Sequence, residues 1–78
     1  MAIKAYILVE TAVGKTREAA RTLRELEGIQ SVDVVTGPYD IIAVIQGDDM
    51  AVVGRVVTEK IHTVAGVVRT VTCVALGP

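Results

Sequence analysis

The order in which strand-like and helix-like hydrophobic patterns alternate constrains the fold of this chain more than any other feature. Four runs rich in apolar and β-branched residues predict strands at residues 3–9, 29–36, 39–46 and 67–76. Between them, apolar residues recur every three or four positions and predict helices at residues 15–27 and 50–62. The order β-α-β-β-α-β closes most simply into a four-stranded antiparallel sheet with both helices on one face. We therefore predict an α+β, ferredoxin-like fold for a single domain, residues 1–78.

A short corner, Gly37-Pro38, separates the second and third predicted strands and favours an antiparallel hairpin. Glycine tolerates positive φ and proline fixes its own φ, so the pair marks a turn. Tyr39 and Asp40 follow directly, and they place a phenol and a carboxylate where an almost wholly aliphatic strand begins. The chain has only two Tyr and no Phe or Trp. This polar pair at an apolar junction is the best indication of a functional site in the sequence.

Hydrophobic residues make up 51% of the 78 residues, which is more than a domain of this size can hide by itself. A chain this short buries only about 60% of the surface that its unfolded form exposes. The third and fourth predicted strands are apolar on both faces, whereas an antiparallel sheet with one wet face alternates apolar and polar residues. We therefore expect an oligomer in which the open face of the sheet packs against a partner.

Charge and motifs exclude several classes of function. A formal net charge of −1 provides no field that favours phosphate backbones, so we expect no direct DNA binding. One Cys and one His form no metal-ligand cluster, and neither GxGxxG nor GxxxxGKS/T occurs, so we expect no metal and no cofactor. The longest apolar runs are too short to span a membrane, and we expect a cytoplasmic protein without a signal peptide. Cys73 is predicted to be a small buried hydrophobe, and His62 to contact the last carbonyls of the second helix.

Small hydrogen-bonding groups remain beside the apolar strands. Thr70 and Thr72 point to the same face of the last strand, because side chains repeat every second residue. Carboxylate, phenol, hydroxyls and free backbone amides are the groups that hold a zwitterion, with Asp40 for an ammonium and amides for a carboxylate. Structural explanations stay open: β-propensity for the two threonines, turn bonding for Asp40 and interface packing for Tyr39.

The segment VVTGPYDIIAVIQGDD, followed by a helix and then by IHTVAGVVRTVTCVAL, resembles the effector-binding (RAM) domain of Lrp/AsnC-type transcriptional regulators over essentially the whole chain. The resemblance implies a ferredoxin-like domain that dimerises through its sheets and assembles into rings such as an octamer or a decamer. It also implies that amino acids bind between dimers. By this resemblance, six residues are expected to line that pocket, and a neighbouring subunit contributes the two threonines: Gly37, Pro38, Tyr39, Asp40, Thr70 and Thr72.

Regulators of this family carry an amino-terminal helix-turn-helix, whereas this chain starts at its first strand, so we expect a stand-alone form. It would bind a small amino-acid effector without catalysis and act on transcription through full-length Lrp/AsnC regulators. Asp40→Ala is expected to abolish binding and leave the assembly intact. Two alternatives stay open. One is a small dimeric α+β-barrel enzyme, for which His62 is the only strong candidate group, and the other is an oligomerisation module that binds nothing small.

Overall fold

The computed structural model describes residues 2–77, and within that range four strands and two helices follow the predicted order. The strands are β1 (Ile3–Thr11), β2 (Ile29–Val34), β3 (Ile41–Gly47) and β4 (Val67–Val74), and the helices are α1 (Thr16–Arg24) and α2 (Met50–Arg55). Every neighbouring pair is antiparallel, and the sheet order is β2-β3-β1-β4. The predicted α+β, ferredoxin-like fold is confirmed. The predicted domain, residues 1–78, extends one residue beyond each end of the described range.

The helices cover one face of the sheet, and the core lies between the two layers. The inward side chains of β1 and β3 are fully buried there: Ala5, Ile7, Val9, Ile41, Ala43 and Ile45. The helical segments bury the stripes that their periodicity predicts: Ala19, Ala20, Leu23, Val53, Val56, Val57 and Ile61. Leu26 follows the end of α1 and packs partly buried against the core. Removal of these apolar groups from water is the main term that stabilises the fold.

Asp49 caps α2, and its Oδ1 accepts a hydrogen bond from the backbone N–H of Val52 at 2.9 Å. Beyond α2 the helix continues with a wider turn as a π-helical segment, Val56–Ile61. The backbone N–H of His62 then donates to the carbonyl of Val57, five residues back, at 2.9 Å. The predicted second helix is therefore correct in position, but its second half is not α-helical. Several valines make this stretch a poor α-helix former, and the wider turn still buries its apolar side.

Strand boundaries differ from the predictions at the end of the sheet that carries the hairpin. β1 continues to Thr11 instead of ending at residue 9, because Thr11 pairs with Val67 beyond a β-bulge. β3 begins at Ile41 instead of residue 39, and Asp40 lies in the corner, where its carbonyl accepts from the backbone N–H of Val35 at 2.9 Å and its own N–H donates to the carbonyl of Val9 at 3.0 Å. The elements α1, β2 and β4 each end two or three residues earlier than predicted. The antiparallel hairpin of β2 and β3 is confirmed.

The other face of the sheet is open, and its centre is apolar. Strand register places four partly buried aliphatic side chains there: Leu8, Ile42, Val44 and Val71. The prediction that β3 is apolar on both faces is confirmed. Cys73 also lies on this face and is exposed, so the prediction of a buried thiol is wrong for the single chain. The reason is that β4 is an edge strand and Cys73 faces away from the helices.

Candidate functional site

The predicted corner residues lie together at one end of the sheet. Gly37 has a φ of +141°, a conformation that glycine adopts at no steric cost. A Cβ at this position would meet nothing within 4 Å, so the constraint on Gly37 is conformational and not one of space. Gly37 and Pro38 are exposed, whereas Tyr39 and Asp40 are partly buried. The corner therefore combines exposed backbone at Gly37 and Pro38 with the partly buried side chains of Tyr39 and Asp40.

The carboxylate of Asp40 is bound within the chain. Its Oδ2 accepts hydrogen bonds from the backbone N–H of Thr11 at 2.8 Å and from Thr11 Oγ1 at 3.2 Å. Thr11 is 9% exposed, and its hydroxyl oxygen lies 2.6 Å from Oγ1 of Thr16, the first residue of α1. Asp40 thus ties the hairpin corner to the end of β1 and to the start of α1. Its partner is 29 residues away, so it is more than a local turn residue.

Tyr39 reaches across the end of the sheet to Arg69 on β4. Nη2 of Arg69 donates to the Tyr39 hydroxyl at 3.4 Å, and the guanidinium carbon lies 6.0 Å from the ring centroid. Nη1 of Arg69 lies 4.0 Å from Oε1 of Glu10. The side chains of Arg69 and Glu10 are 62% and 44% exposed, and a pair this long and this open adds little to stability. A cation, an anion and a phenol therefore converge beside the predicted corner.

Thr70 and Thr72 share one face of β4, as predicted, and lie opposite Val9 and Ile7 of β1. Oγ1 of Thr70 is 2.7 Å from Nε2 of His62. The His62 ring therefore contacts this hydroxyl and not, as predicted, the carbonyls at the helix end. Val9 and Ile7 are buried, so the two threonines lie on the helix side of the sheet, whereas Tyr39 reaches Arg69 on the open side, and the threonines do not meet the corner of their own chain. Their predicted place in one pocket with that corner requires a neighbouring subunit.

Three surface depressions differ in their chemistry. One of about 280 Å³ lies at β4 and is lined in part by His62, Arg69 and Thr70. A second of about 490 Å³ lies between three arginines of α1 and Val34. The third, of about 930 Å³, lies near the chain ends beside Tyr6. The two larger ones contain no predicted site residue. We place the candidate site at the corner and Arg69, because the predicted polar residues Tyr39 and Asp40 lie there and Tyr39 contacts Arg69.

Three residues near the corner were not predicted from the sequence: Glu10, Thr11 and Arg69. A signal for each was present, because Glu10 and Thr11 end the apolar run of β1 and Arg69 is the one charged residue of β4. Among residues 2–77, no cluster of three or more His, Cys, Asp or Glu side chains is arranged to hold a metal ion. Across the same range, no helix has the length and apolar character that a membrane span requires.

Sequence comparison identifies the family. Residues 4–78 match the Lrp/AsnC ligand binding domain. Over 59 residues the chain is 32% identical to an uncharacterized HTH-type transcriptional regulator of Pyrococcus furiosus. That alignment covers 76% of this chain but 39% of the regulator, so the chain spans well under half of the relative's length.

Solved structures agree with this match. A protein of Thermus thermophilus superposes with a TM-score of 0.91 at 32% identity, and the match covers 97% of this chain and 95% of that one. A transcriptional regulator of Neisseria meningitidis, solved as a complex with L-Met, has a TM-score of 0.85 at 22% identity, covering 96% and 50%. At that identity the second likeness shows a shared fold. By its sequence match and its fold, the chain belongs to the Lrp/AsnC ligand-binding domain family.

Proposed function

We propose that this domain is a non-catalytic, oligomeric module that binds an amino-acid effector in a pocket between subunits. The observation that carries the proposal is the match of residues 4–78 to a ligand-binding domain. The Neisseria relative in complex with L-Met supports an amino acid as the class of ligand. The small size of an amino acid also suits the corner, where polar groups stand close together at the end of an apolar sheet.

The pocket that we propose is built from the hairpin corner of one subunit and the last strand of another. Its residues are those that the resemblance implies: Gly37, Pro38, Tyr39, Asp40, Thr70 and Thr72. Gly37 presents an exposed backbone N–H that can donate a hydrogen bond, Pro38 has none, and Tyr39 provides a phenol beside them. Asp40 contributes by holding the corner on Thr11, since one of its oxygens is already used there.

The assembly that we propose is a sheet-to-sheet dimer that joins further copies into a ring such as an octamer or a decamer. Partly buried Leu8, Val44 and Val71 on the open face supply apolar area for the first contact. An effector that binds only where subunits meet stabilises the oligomer by mass action. The mass in solution should therefore rise or become more resistant to dilution when effector is added.

A role in transcription through other proteins is part of the same proposal. Relatives of this chain include HTH-type transcriptional regulators that extend well beyond the matched region. Full-length Lrp/AsnC regulators in the cytoplasm are the partners that we propose, because the shared domain allows mixed assemblies. The net charge of −1 favours contact with DNA through such a partner over direct contact.

Calorimetric titration of the purified protein with each standard amino acid tests the ligand. We expect a saturable heat and a higher melting temperature with at least one of them, and L-methionine is the first to try. Light scattering on the same samples measures the molar mass with and without that ligand. If no amino acid gives heat or a thermal shift while the mass remains that of an oligomer, the effector role is wrong. A purely structural oligomerisation module would then account for the open apolar face.

A further inference from the structure

Glu10 and Arg69 form an exposed pair of opposite charges at the rim of the open sheet face. Their nearest charged atoms, Oε1 and Nη1, are 4.0 Å apart, which is longer than a direct hydrogen bond. A guanidinium has five N–H donors, and the one hydrogen bond that Arg69 donates to a side chain, at 3.4 Å to Tyr39, is long. The two groups are therefore near enough to face one ligand and too loosely joined to satisfy each other.

The backbone places this pair beside the corner. A β-bulge shifts the register of β1 against β4 between Glu10 and Thr11, so that Glu10 pairs with Arg69 and Thr11 with Val67. The bulge lets Val67 pack against the core while Arg69 stays on the open face next to Glu10. Bulges often redirect a side chain near a binding site. Here the redirected side chain is that of Val67, and Arg69 keeps the open face that it shares with Val71.

We propose that Arg69 binds the α-carboxylate of the amino-acid effector and that Glu10 binds its α-ammonium group. This inference rests on the proposed function. A zwitterion between the two side chains replaces one long ion pair with two short, charge-assisted hydrogen bonds. The planar guanidinium also matches a carboxylate through two parallel N–H donors. The Tyr39 hydroxyl, already at Arg69, holds the guanidinium in place.

Asp40 is less suited to the ammonium group than Glu10. Its Oδ2 accepts two hydrogen bonds from Thr11, and a turn away from Thr11 would leave a buried backbone N–H without its partner. Among residues 2–77, the one charged contact of Glu10 is the open pair with Arg69, so its carboxylate is not bound to the backbone as that of Asp40 is. Asp40 is then a positioning residue that fixes Thr11, the residue next to Glu10.

The test compares free amino acids with their α-amides, which keep the ammonium group and lack the carboxylate charge. Each standard amino acid that binds the wild type is titrated calorimetrically beside its amide, L-methionine with L-methioninamide first. We expect the amide to bind at least about tenfold more weakly to the wild type. In Arg69→Gln we expect the free acid to weaken to the level of the amide, so that the preference for a carboxylate disappears. Arg69→Lys keeps a charge without the paired donors and should give an intermediate preference.

Glu10→Gln tests the other half of the site with N-acetyl amino acids, which keep the carboxylate and lack the ammonium charge. The wild type should prefer the free amino acid, and the variant should lose that preference. Arg55→Gln is the control, because Arg55 is exposed on α2 and its replacement removes the same charge as Arg69→Gln elsewhere on the surface. Light scattering confirms that each variant keeps the wild-type mass.

The outcomes separate this inference from the proposed function. If the wild type binds an amino acid and Arg69→Gln keeps the wild-type preference for the acid over the amide, the inference is overturned and the proposed function stands. The inference is also overturned if Arg69→Gln weakens acid and amide equally, since a role in subunit packing would do that. If the wild type binds no standard amino acid, the proposed function fails and this inference fails with it.

Discussion

Asp40 shows how a single side chain at a candidate site can be committed to the fold. The sequence presents it as a carboxylate at a turn, available for a ligand. The structure gives its Oδ2 two partners on Thr11, one of them a backbone N–H at the buried end of β1. Loss of binding in Asp40→Ala would therefore not by itself identify a ligand contact, because the corner would lose its attachment as well.

We expect Asp40→Ala to lower the free energy of unfolding by about 1–3 kcal/mol, the cost of leaving a buried donor unsatisfied. Asp40→Asn keeps an acceptor oxygen and should cost less. Urea unfolding at one fixed protomer concentration measures both, since oligomer stability depends on concentration. Asp48→Ala is the matched control, because Asp48 is exposed in the loop after β3, and it should change stability by less than about 0.5 kcal/mol. An Asp40→Ala protein as stable as the control would contradict the role assigned to Thr11.

The second helical segment is the element whose interior departs most from its sequence prediction. Its position and its buried face are as predicted, but the turn widens after α2 into Val56–Ile61. Gly47 precedes α2 and Gly54 lies within it, and the two glycines have different surroundings. A Cβ at Gly54 would meet nothing within 4 Å, whereas a Cβ at Gly47 would lie 2.9 Å from Cγ1 of Val52. Gly54 therefore lowers the helix propensity, and no packing contact requires a glycine there. Gly47 is required because a Cβ at this position would lie too close to Val52.

We expect Gly54→Ala to raise the free energy of unfolding by about 0.5–1 kcal/mol, because alanine has the higher helix propensity and the site has room. Gly47→Ala should instead destabilise the protein, because the new methyl group would overlap Val52. Thermal unfolding of both variants under one condition gives the comparison. A destabilised Gly54→Ala protein would show that the widened turn needs glycine at this position.

At the scale of the whole molecule, one face of the sheet carries apolar side chains whose exposure to water is unfavourable. Val44 lies at the centre of that face between polar groups at its rim, and the helices occupy the other side. A domain of this size has no third layer with which to cover the face, and association with a second copy is the route to burial that symmetric oligomers take.

We expect Val44→Asp to dissociate the assembly toward the 8.2 kDa monomer, because a carboxylate buried in an apolar interface has no partner. Val13→Asp is the control, since Val13 is fully exposed in the loop before α1 and should leave the mass unchanged. Light scattering at several concentrations measures both. A wild type that already runs at 8.2 kDa would contradict the sheet-to-sheet dimer and the inter-subunit pocket together.

Local patterns in the sequence were enough for the order of the elements, for the hairpin corner and for an aspartate cap before the second helix at Asp48 or Asp49. Each of these depends on residues close together in the chain, such as Gly37 beside Pro38 or Asp49 three positions before Val52. The buried helix stripes were also predictable, because a period of three or four residues defines a face without reference to the rest of the molecule. The end of β1 was not, since Thr11 extends the strand by pairing with Val67.

Hydrophobic periodicity and turn residues account for the βαββαβ fold, for a sheet with apolar residues on both faces and for the polar corner at Tyr39 and Asp40. The contacts of these two side chains could not be predicted in the same way. Asp40 meets Thr11 across 29 positions, and Tyr39 meets Arg69 across 30. Such contacts depend on which strands become neighbours in the sheet. That information belongs to the assembled sheet, so no local pattern contains it.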